Sequence, residues 1–441
     1  MMQRAKNSDA ARLFATAGVV LGTRVVGTLL TLAYTILLVG VAPPDEVGRA
    51  FAALSAGFLL SVVASLNVDA GSIRFLPLYF ETDRKADAAG FVIWCRRTVL
   101  VVCSLAMLPT LAILVWAYGF SAMGPFLLSF ASAPILANGR INSRHGVALG
   151  LVLSASLPRI LVRPVVMTVF LGAANLLDWT LTATQIMGAF FVASSLATGL
   201  QWVLIRHAMG FRHEASPKFD QARDWVPFGL MLSPVLVMNE FMRDVIIMSA
   251  GFALIPSDVA RLGISLSMIS ILNFGLNALD MAFSPKISRA TAQGNFKRRA
   301  RLLTVGGVGK LCALVVGIPL VWILIPHVLE VMGADYAGVE EMFLVLALIP
   351  ASKAIFGPAN LVLNVTGHKH VLFWCALMGV GAIVVGVFAG NTLGGTKGVI
   401  IGVALAAVFY HALLFGMCRL RAETDTTALS AYWEQRKQTP A

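Results

Sequence analysis

The chain has 441 residues, of which 58% are hydrophobic and only 13% charged, and its mean hydropathy is +0.81. This composition is typical of polytopic membrane proteins and excludes a soluble multidomain enzyme. The formal net charge of +12 raises nucleic-acid binding as an alternative. Because most of the cations lie in alternate loops, they indicate membrane topology instead, and no nucleic-acid partner is expected.

Twelve apolar stretches of about 18–26 residues predict twelve membrane-spanning helices in an all-α polytopic protein. The first stretch is too long for a signal-peptide core and follows a basic start, so we expect a retained span with its N-terminus inside the cell. The predicted limits are 15–40, 48–72, 92–118, 121–138, 149–174, 181–204, 226–251, 262–284, 303–325, 342–365, 371–391 and 398–418.

The loops between these stretches differ in charge. The six predicted outward loops contain only Arg49, Arg261 and Lys397 as basic residues, whereas the inward segment 286–301 includes Lys297-Arg298-Arg299-Ala300-Arg301. This distribution predicts that both termini are cytoplasmic and that the basic loops face anionic membrane lipids. The five cysteines have neither disulfide nor zinc-ligand spacing, so no metal is expected.

The pattern repeats at a spacing of 212 residues. The loop Pro44-Asp45-Glu46-Val47-Gly48-Arg49 matches Pro256-Ser257-Asp258-Val259-Ala260-Arg261. Further matches at the same spacing are Leu54 with Leu266, Ser55 with Ser267, Leu60 with Leu272, Ser72 with Ser284 and Arg74 with Lys286. Since each half contains an even number of spans, the halves form a parallel repeat about an axis along the membrane normal.

This repeat predicts two six-helix lobes facing a central cavity, an arrangement suited to alternating access rather than to a simple pore. The predicted divisions are an N-terminal lobe at 1–206, a cytoplasmic linker at 207–224, a C-terminal lobe at 225–420 and a cytoplasmic polar tail at 421–441. We expect the tail to be poorly ordered.

Span 7 contains three charges near the predicted bilayer midplane: Glu240, Arg243 and Asp244. Each charge costs roughly 2.5–3.5 kcal/mol at a helix centre, so these side chains should face protein or water. Their i, i+3 and i+4 spacing places them on one face of a continuous helix, where they can pair. They are either a structural ion pair or a functional site in which Arg243 binds an anionic group and one carboxylate takes up H+ or Na+.

Other buried cations are predicted to line the same cavity: Lys353 between Pro350 and Pro358, and Arg159 and Arg163, which are bracketed by Pro158 and Pro164. For the two arginines, snorkelling toward the inner headgroups is an equal alternative, and snorkelling is favoured for Lys310. Together with Arg24 and Arg243 these cations outnumber Asp69, Glu240 and Asp244, which predicts a basic cavity.

Two further polar groups are candidates for contacts. Asn273, Asn277 and Asp280 form a stripe on span 8 that either binds sugar hydroxyls or makes interhelical hydrogen bonds. Arg74 and Lys286 close equivalent helices near the inner surface, where they are expected to contact lipid headgroups.

Several segments in this order resemble a known family. They are Thr23-Arg24-Val25-Val26-Gly27, Pro44 to Phe51, Asn67 to Pro77, span 7 with Asp244, Ser284-Pro285-Lys286-Ile287-Ser288 and Met332-Gly333-Ala334-Asp335-Tyr336. The chain resembles the Wzx-type polysaccharide (O-antigen) flippases of the multidrug/oligosaccharidyl-lipid/polysaccharide (MOP) exporter superfamily. The resemblance implies a MATE-like fold and a cavity arginine at Arg24, whose alternative partners are Asp69, Asp244 or a helix-end carbonyl.

The resemblance further implies a non-enzymatic flippase for lipid-linked oligosaccharide, usually on undecaprenyl pyrophosphate, in the bacterial cytoplasmic (inner) membrane. Such a protein serves polysaccharide or lipopolysaccharide biosynthesis beside glycosyltransferases and a polysaccharide polymerase. The chain has no phosphate-loop motif of the GxxxxGK[ST] type, so the energy would come from an H+ or Na+ gradient or from consumption of the product. No other cofactor is expected.

Two other functions compete with this interpretation. A MATE-type multidrug antiporter of the same superfamily would need an acidic, aromatic cavity, whereas the cations dominate here and aromatic residues make up only 9%. A membrane glycan polymerase or ligase would need a long outward loop, which the predicted topology lacks. Lipid II as substrate ranks lower, since its flippases typically have two additional spans.

Overall fold

The computed structural model describes residues 2–119, 123–210 and 216–438, so residues 121–122 of predicted span 4, 211–215 of the predicted linker and 439–441 of the predicted tail lie outside it. Every regular element in the described part of the chain is helical. The helices are α1 (Met2–Val41), α2 (Pro44–Ser65), α3 (Ser72–Glu81), α4 (Lys85–Tyr118), α5 (Met123–Ala148), α6 (Val152–Leu157), α7 (Arg163–Leu176), α8 (Ala183–Ile205), α9 (Ala222–Glu240), α10 (Met242–Ala253), α11 (Pro256–Ala292), α12 (Phe296–Met332), α13 (Val339–Leu346), α14 (Leu348–Phe356), α15 (Ala359–Val365), α16 (Lys369–Ala422) and α17 (Ser430–Gln438).

The long apolar helices confirm a polytopic membrane protein. Among the described residues, eight helices are long and apolar enough to cross a membrane, or nine if the bent pair Ala334–Phe356 and Ala359–Val365 forms one span. Helix α16 contains two of the predicted spans, because its backbone breaks at Gly394 and Gly395. Helix α5 and the interrupted pair α9 and α10 account for the remaining two of the twelve.

The chain forms two compact units. Unit 1 consists of Met1–Pro43 and Ala56–Leu230, and unit 2 consists of Pro44–Ser55 and Met231–Ala441. The first three turns of α2 therefore belong to unit 2, although the rest of that helix belongs to unit 1. The end of the predicted linker packs on unit 1, where the Lys218 amide donates to the Ala86 carbonyl at 3.1 Å.

Within unit 2, the start of α2 packs directly on the start of α11, the helix that follows it at the 212-residue spacing. A Cβ atom at Gly48 would collide with the Pro256 carbonyl, and one at Gly263 would collide with the Phe51 ring. Phe51 and Gly263 are themselves equivalent at this spacing. Small residues thus allow the two repeat-related helices to approach backbone to backbone.

Both helices begin in the same way and continue differently. Each has proline in its first turn and a half-buried i, i+3 ion pair, Arg49–Glu46 at 2.7 Å and Arg261–Asp258 at 3.0 Å. Helix α2 ends at Ser65, because Leu66 and Asn67 adopt positive φ angles of 47° and 51°. Helix α11 continues unbroken to Ala292.

The two halves of α16 approach each other through glycines. Cβ atoms at Gly398 and Gly402 would collide with the carbonyls of Gly390 and Gly386. These four residues form two small-xxx-small pairs that face each other, a common way for membrane helices to pack closely. The reversal itself occurs at Gly395, whose φ of 55° is favourable only for glycine.

The C-terminal tail is ordered where it was predicted to be poorly ordered, so that prediction is wrong for the described residues up to 438. Thr426 is buried and donates through Oγ1 to the Phe356 carbonyl at 2.6 Å. The Ala431 amide donates to Thr304 Oγ1 at 2.9 Å, which attaches α17 to α12. The polar composition of the tail therefore reflects hydroxyl groups that donate to carbonyls at helix ends.

Candidate functional site

The charged segment of span 7 lies at a helix interruption. Helix α9 ends at Glu240, Phe241 has φ −125° and ψ 15°, and α10 begins at Met242. Glu240 is exposed at the end of one helix, whereas Arg243 and Asp244 occupy the first turn of the next. The prediction of one continuous helical face for the three charges is therefore wrong.

Arg243 and Asp244 lie between two serines that are equivalent in the repeat. Asp244, which is 7% exposed, accepts a hydrogen bond at Oδ1 from Ser55 Oγ at 3.1 Å. Arg243 donates through Nη2 to Ser267 Oγ at 3.0 Å and to the Gly263 carbonyl at 3.3 Å. All of these residues belong to unit 2. The adjacent pair thus contacts the same register position of α2 and of α11.

The described partners of Arg243 are neutral. Besides Ser267 and the Gly263 carbonyl, its guanidinium carbon lies 5.5 Å from the centre of the Phe51 ring. Its Nε atom is buried and has no hydrogen-bond partner among the described residues. Guanidinium groups with unused donors bind carboxylate or phosphate oxygens well, so Arg243 retains capacity for an anion.

A second group of charges surrounds Asp280 on α11. Lys310 of α12 pairs with Asp280 Oδ1, and Lys353 of α14 lies 4.0 Å from Oδ2. Lys353 also donates to Asn277 Oδ1 at 2.6 Å. The predicted snorkelling of Lys310 is wrong, since its side chain is 2% exposed and points to a carboxylate. Two ammonium groups therefore share one carboxylate.

The polar stripe on α11 makes contacts between helices. Asn277 and Asp280 both bind lysines from neighbouring helices, which is one of the two interpretations of the stripe. Asn273 is half-buried on the same helix. Asn277 is exposed and Asp280 is 25% exposed, so the group is reachable by a ligand.

Unit 1 contains a related pair that the sequence reasoning missed. Arg140 of α5 donates through Nε to Asp69 Oδ2 at 3.2 Å and through Nη2 to the Ser61 carbonyl at 3.2 Å and to Ser65 Oγ. Both charged side chains are sealed from solvent, at 3% and 0% exposed. The repeat spacing was a weak signal for this pair, because it leads from Asp69 to position 281 and from Arg140 to position 352, each next to a charged residue, Asp280 and Lys353.

The remaining predicted cations of unit 1 lie around an irregular helix. Pro158–Val162 forms a π-helical segment between α6 and α7, and it carries the half-buried Arg159. Arg163 is stacked 5.4 Å from the ring centres of Phe58 and Phe190. π-Helical segments are frequent at functional sites.

Arg24 lies on α1, which packs near the π-helical segment Pro158–Val162. Helix α1 approaches the π-helical segment at Gly27, where a Cβ atom would come within 2.6 Å of Ile160 Cγ2. Arg24 is exposed one turn earlier. Its role in substrate binding stays a prediction.

Arg74 and Lys286 are exposed, as side chains near a headgroup region should be. Arg74 stacks on Phe75 and Phe228 at 5.5 and 5.2 Å, and Lys286 lies 5.7 Å from the Phe283 ring centre. Headgroup contact by these residues stays a prediction.

The sequence matches no protein-family model and no curated protein. The fold is similar to those of solved membrane transporters. An inward-facing multidrug resistance transporter of the MATE family, in the MOP superfamily, matches with a TM-score of 0.66 and 14% identity over 96% of this chain and 100% of that chain. The lipid II flippase MurJ in an inward closed conformation matches with a TM-score of 0.70 and 14% identity over 92% and 88%.

An outward-facing transporter of the MATE family also matches, with a TM-score of 0.57 and 15% identity over 91% of this chain and 93% of that chain. At these identities the similarity concerns the fold. The chain therefore has an all-α fold like those of the MATE transporters and MurJ, which confirms the all-α class that the apolar pattern predicted and the MATE-like fold that the resemblance implied.

Proposed function

We propose that this protein is a flippase that moves a lipid-linked oligosaccharide, carried on a polyprenyl pyrophosphate, across the bacterial cytoplasmic membrane by alternating access. The observation that carries the proposal is the excess of cations around Asp280 in unit 2. Lys310 and Lys353 share the single carboxylate of Asp280. A pyrophosphate must lose water to cross the membrane, and fixed cations replace that hydration.

Arg243 is a further cation of unit 2 with capacity for an anion. Its described partners are a serine hydroxyl, a backbone carbonyl and an aromatic ring, none of which neutralises its charge. A guanidinium group can bind two phosphate oxygens at once, which suits the diphosphate of the proposed substrate. Arg24 of α1 is the cation proposed for the same role in unit 1.

Asp244 is the proposed site of ion coupling. It is 7% exposed and accepts a hydrogen bond from Ser55 at the place where α10 begins. Asp69 is less suited to taking up H+ or Na+, since Arg140 holds its carboxylate in a sealed pair. Glu240 is the second candidate because it is exposed next to the interruption.

A multidrug antiporter is the second candidate function. It is favoured by the fold similarity to multidrug transporters and by the buried carboxylate of Asp244, which a cationic drug and a coupling ion would compete for. The flippase ranks first because Asp69 and Asp280 already face cations.

The test is transport by the purified protein in liposomes. A fluorescent lipid-linked oligosaccharide is added, and the labelled headgroups that an external quencher reaches are counted with time. Arg243→Ala should slow flipping by about tenfold or more, as expected for the loss of a hydrogen bond between charged groups. Arg24→Ala should do the same. Arg261→Ala is the matched control, since Arg261 is a charged residue of unit 2 outside the proposed site.

Two outcomes would decide against the proposal. Wild-type flipping in both arginine variants, with normal folded protein, would remove the basic site. Extrusion of cationic dyes that requires Asp244 but neither Arg243 nor Lys353 would favour the antiporter.

Ion coupling has its own test. An imposed pH or Na+ gradient should accelerate flipping by the wild type, and Asp244→Asn should lose this dependence on the gradient.

A further inference from the structure

A cavity of about 450 Å³ lies in unit 2, where the start of α12, the end of α16 and the tail helix α17 meet. It adjoins the basic run at 297–301, at the end of the unit where the charge pattern predicts the cytoplasm. Three guanidinium groups line it: Arg299, Arg419 and Arg436. The proposed transport function uses none of them.

Arg299 is the unusual member of this group. It is only 5% exposed, yet its Nε has no hydrogen-bond partner among the described residues. The described contact of its guanidinium group is the face of Phe296, at 5.0 Å. Because a desolvated cation is unfavourable unless it is paired, this side chain is suited to an anion that enters the cavity.

The tail provides the other wall. Trp433 of α17 lines the cavity, and Arg419 lies 4.9 Å from the centre of its ring. Arg436, one turn further along α17, is exposed and stacks on Tyr432 at 5.1 Å. A ligand bound here would therefore contact both the tail and the membrane-spanning helices.

Three carboxylates also line the cavity and limit the charge of the ligand. Asp425 is engaged, since Arg419 donates to Oδ2 at 2.7 Å and the Thr427 amide and hydroxyl donate to Oδ1 at 2.8 and 2.6 Å. Glu423 and Glu434 are the other two. Glu434 lies close enough to interact electrostatically with Arg299, although no ion pair within 4.0 Å joins them among the described residues. The three arginines and three carboxylates of the lining balance, so a singly charged anion held locally by Arg299 fits better than a multiply charged one.

We propose that this cavity binds a singly charged phosphate group, with Arg299 as its central ligand and the C-terminal helix as its cover. The phosphodiester of an anionic phospholipid and free inorganic phosphate share this chemistry. Guanidinium groups suit both, because their planar donors match phosphate oxygens. Binding should also hold α17 on α12 and protect the tail from proteolysis.

The experiment uses the full-length protein in detergent with two probes. Native mass spectrometry measures bound phosphatidylglycerol against phosphatidylcholine, and calorimetric titration measures inorganic phosphate. Arg299→Gln should weaken binding by about tenfold or more, the loss expected for a charge-assisted hydrogen bond. The matched control is Arg298→Gln, which removes the same charge from an exposed neighbour and should change binding less than about twofold.

The two probes distinguish the sources of the phosphate group. Binding of phosphatidylglycerol without competition by inorganic phosphate supports a lipid headgroup, and binding of both supports a free anion as well. Binding of neither overturns the proposal. Equal losses in Arg299→Gln and Arg298→Gln also overturn it, since they would show attraction to the basic surface alone.

Two further variants keep the test decisive if Arg299→Gln does not fold. Arg436→Gln and Trp433→Ala alter the cavity from the tail side, away from the membrane-spanning helices. Each should weaken binding and expose the tail to protease in the presence of phosphatidylglycerol. Unchanged binding in both variants would contradict the assigned site.

Discussion

The two units place a carboxylate and a cation at nearly the same repeat positions but in different surroundings. In unit 1, Asp69 and Arg140 are sealed, at 0% and 3% exposed. In unit 2, Asp280 and Lys353 are 25% and 30% exposed, and Lys310 supplies a second cation. The pair in unit 1 is closed to solvent and its charges balance. The pair in unit 2 is partly exposed, and its carboxylate is shared by two cations.

The backbone explains this difference. Helix α2 breaks after Ser65 through the positive φ angles of Leu66 and Asn67, and the short 3-10 helix Val68–Gly71 then carries Asp69 to Arg140. Helix α11 has no such break, so Asp280 stays on a regular helix within reach of lysines from two neighbouring helices. Positions one residue from equivalence in a repeat can thus hold a sealed ion pair in one copy and a partly exposed charge cluster in the other.

The largest expected effect is on the sealed pair. Arg140→Leu leaves Asp69 buried without its cation and should lower the free energy of unfolding by about 3–5 kcal/mol. Lys353→Leu should cost about 1 kcal/mol or less, because Asp280 keeps Lys310 and the site is partly open. Unfolding by SDS, followed by circular dichroism, measures both. Equal losses would contradict the contrast between the two units.

The next effect concerns transport by the open site. Lys353→Leu should slow flipping of the proposed lipid-linked substrate by about tenfold in folded protein, as expected for the loss of a charge-assisted contact. Lys353→Arg, which keeps the charge, should retain most of the rate. The liposome quenching measurement reports both variants. If the arginine variant were as slow as the leucine variant, shape rather than charge would explain the requirement.

The helix break offers a test in which the two copies respond in opposite directions. Ala278→Gly, in the unbroken α11, should lower the free energy of unfolding by about 1 kcal/mol, the usual cost of glycine within a helix. Asn67→Gly, at a positive φ, should be neutral or stabilise by up to about 1 kcal/mol, because glycine adopts this conformation without strain. The same SDS titration compares them, and a loss in both variants would show that the break carries no strain.

The smallest effect is expected where the two copies are most alike. Arg49→Ala and Arg261→Ala each remove a half-buried i, i+3 ion pair at a helix start and should lower the free energy of unfolding by about 1 kcal/mol or less. Arg261→Ala should lower the free energy of unfolding slightly more, because Arg261 also donates to the Asp335 carbonyl at 2.9 Å. A large loss of unfolding free energy in either variant would show that these ion pairs stabilise the fold as the sealed Arg140–Asp69 pair does.

The sequence alone determined the class of fold and the repeat. Apolar length indicated the spans, and the 212-residue spacing indicated that α2 and α11 begin alike. These signals are local, since the hydrophobic period, proline and charge act within one helix or one loop. The same kind of signal indicates Lys353, as a charge that an apolar helix rarely contains, and Asp280, as part of a polar stripe at helical spacing.

Only the tertiary structure decided how those charges are used. No local signal shows that α9 ends at Glu240, because neither glycine nor proline occurs there. The partners of Arg243 and Asp244 come from helices α11 and α2, which are distant in sequence. The sequence likewise did not reveal the roles of Arg140 and of the docked tail. A charge near the polar end of a helix and a polar C-terminus are both common in proteins without such contacts. Their contacts join residues 71 and 70 positions apart, and only folding brings such residues together.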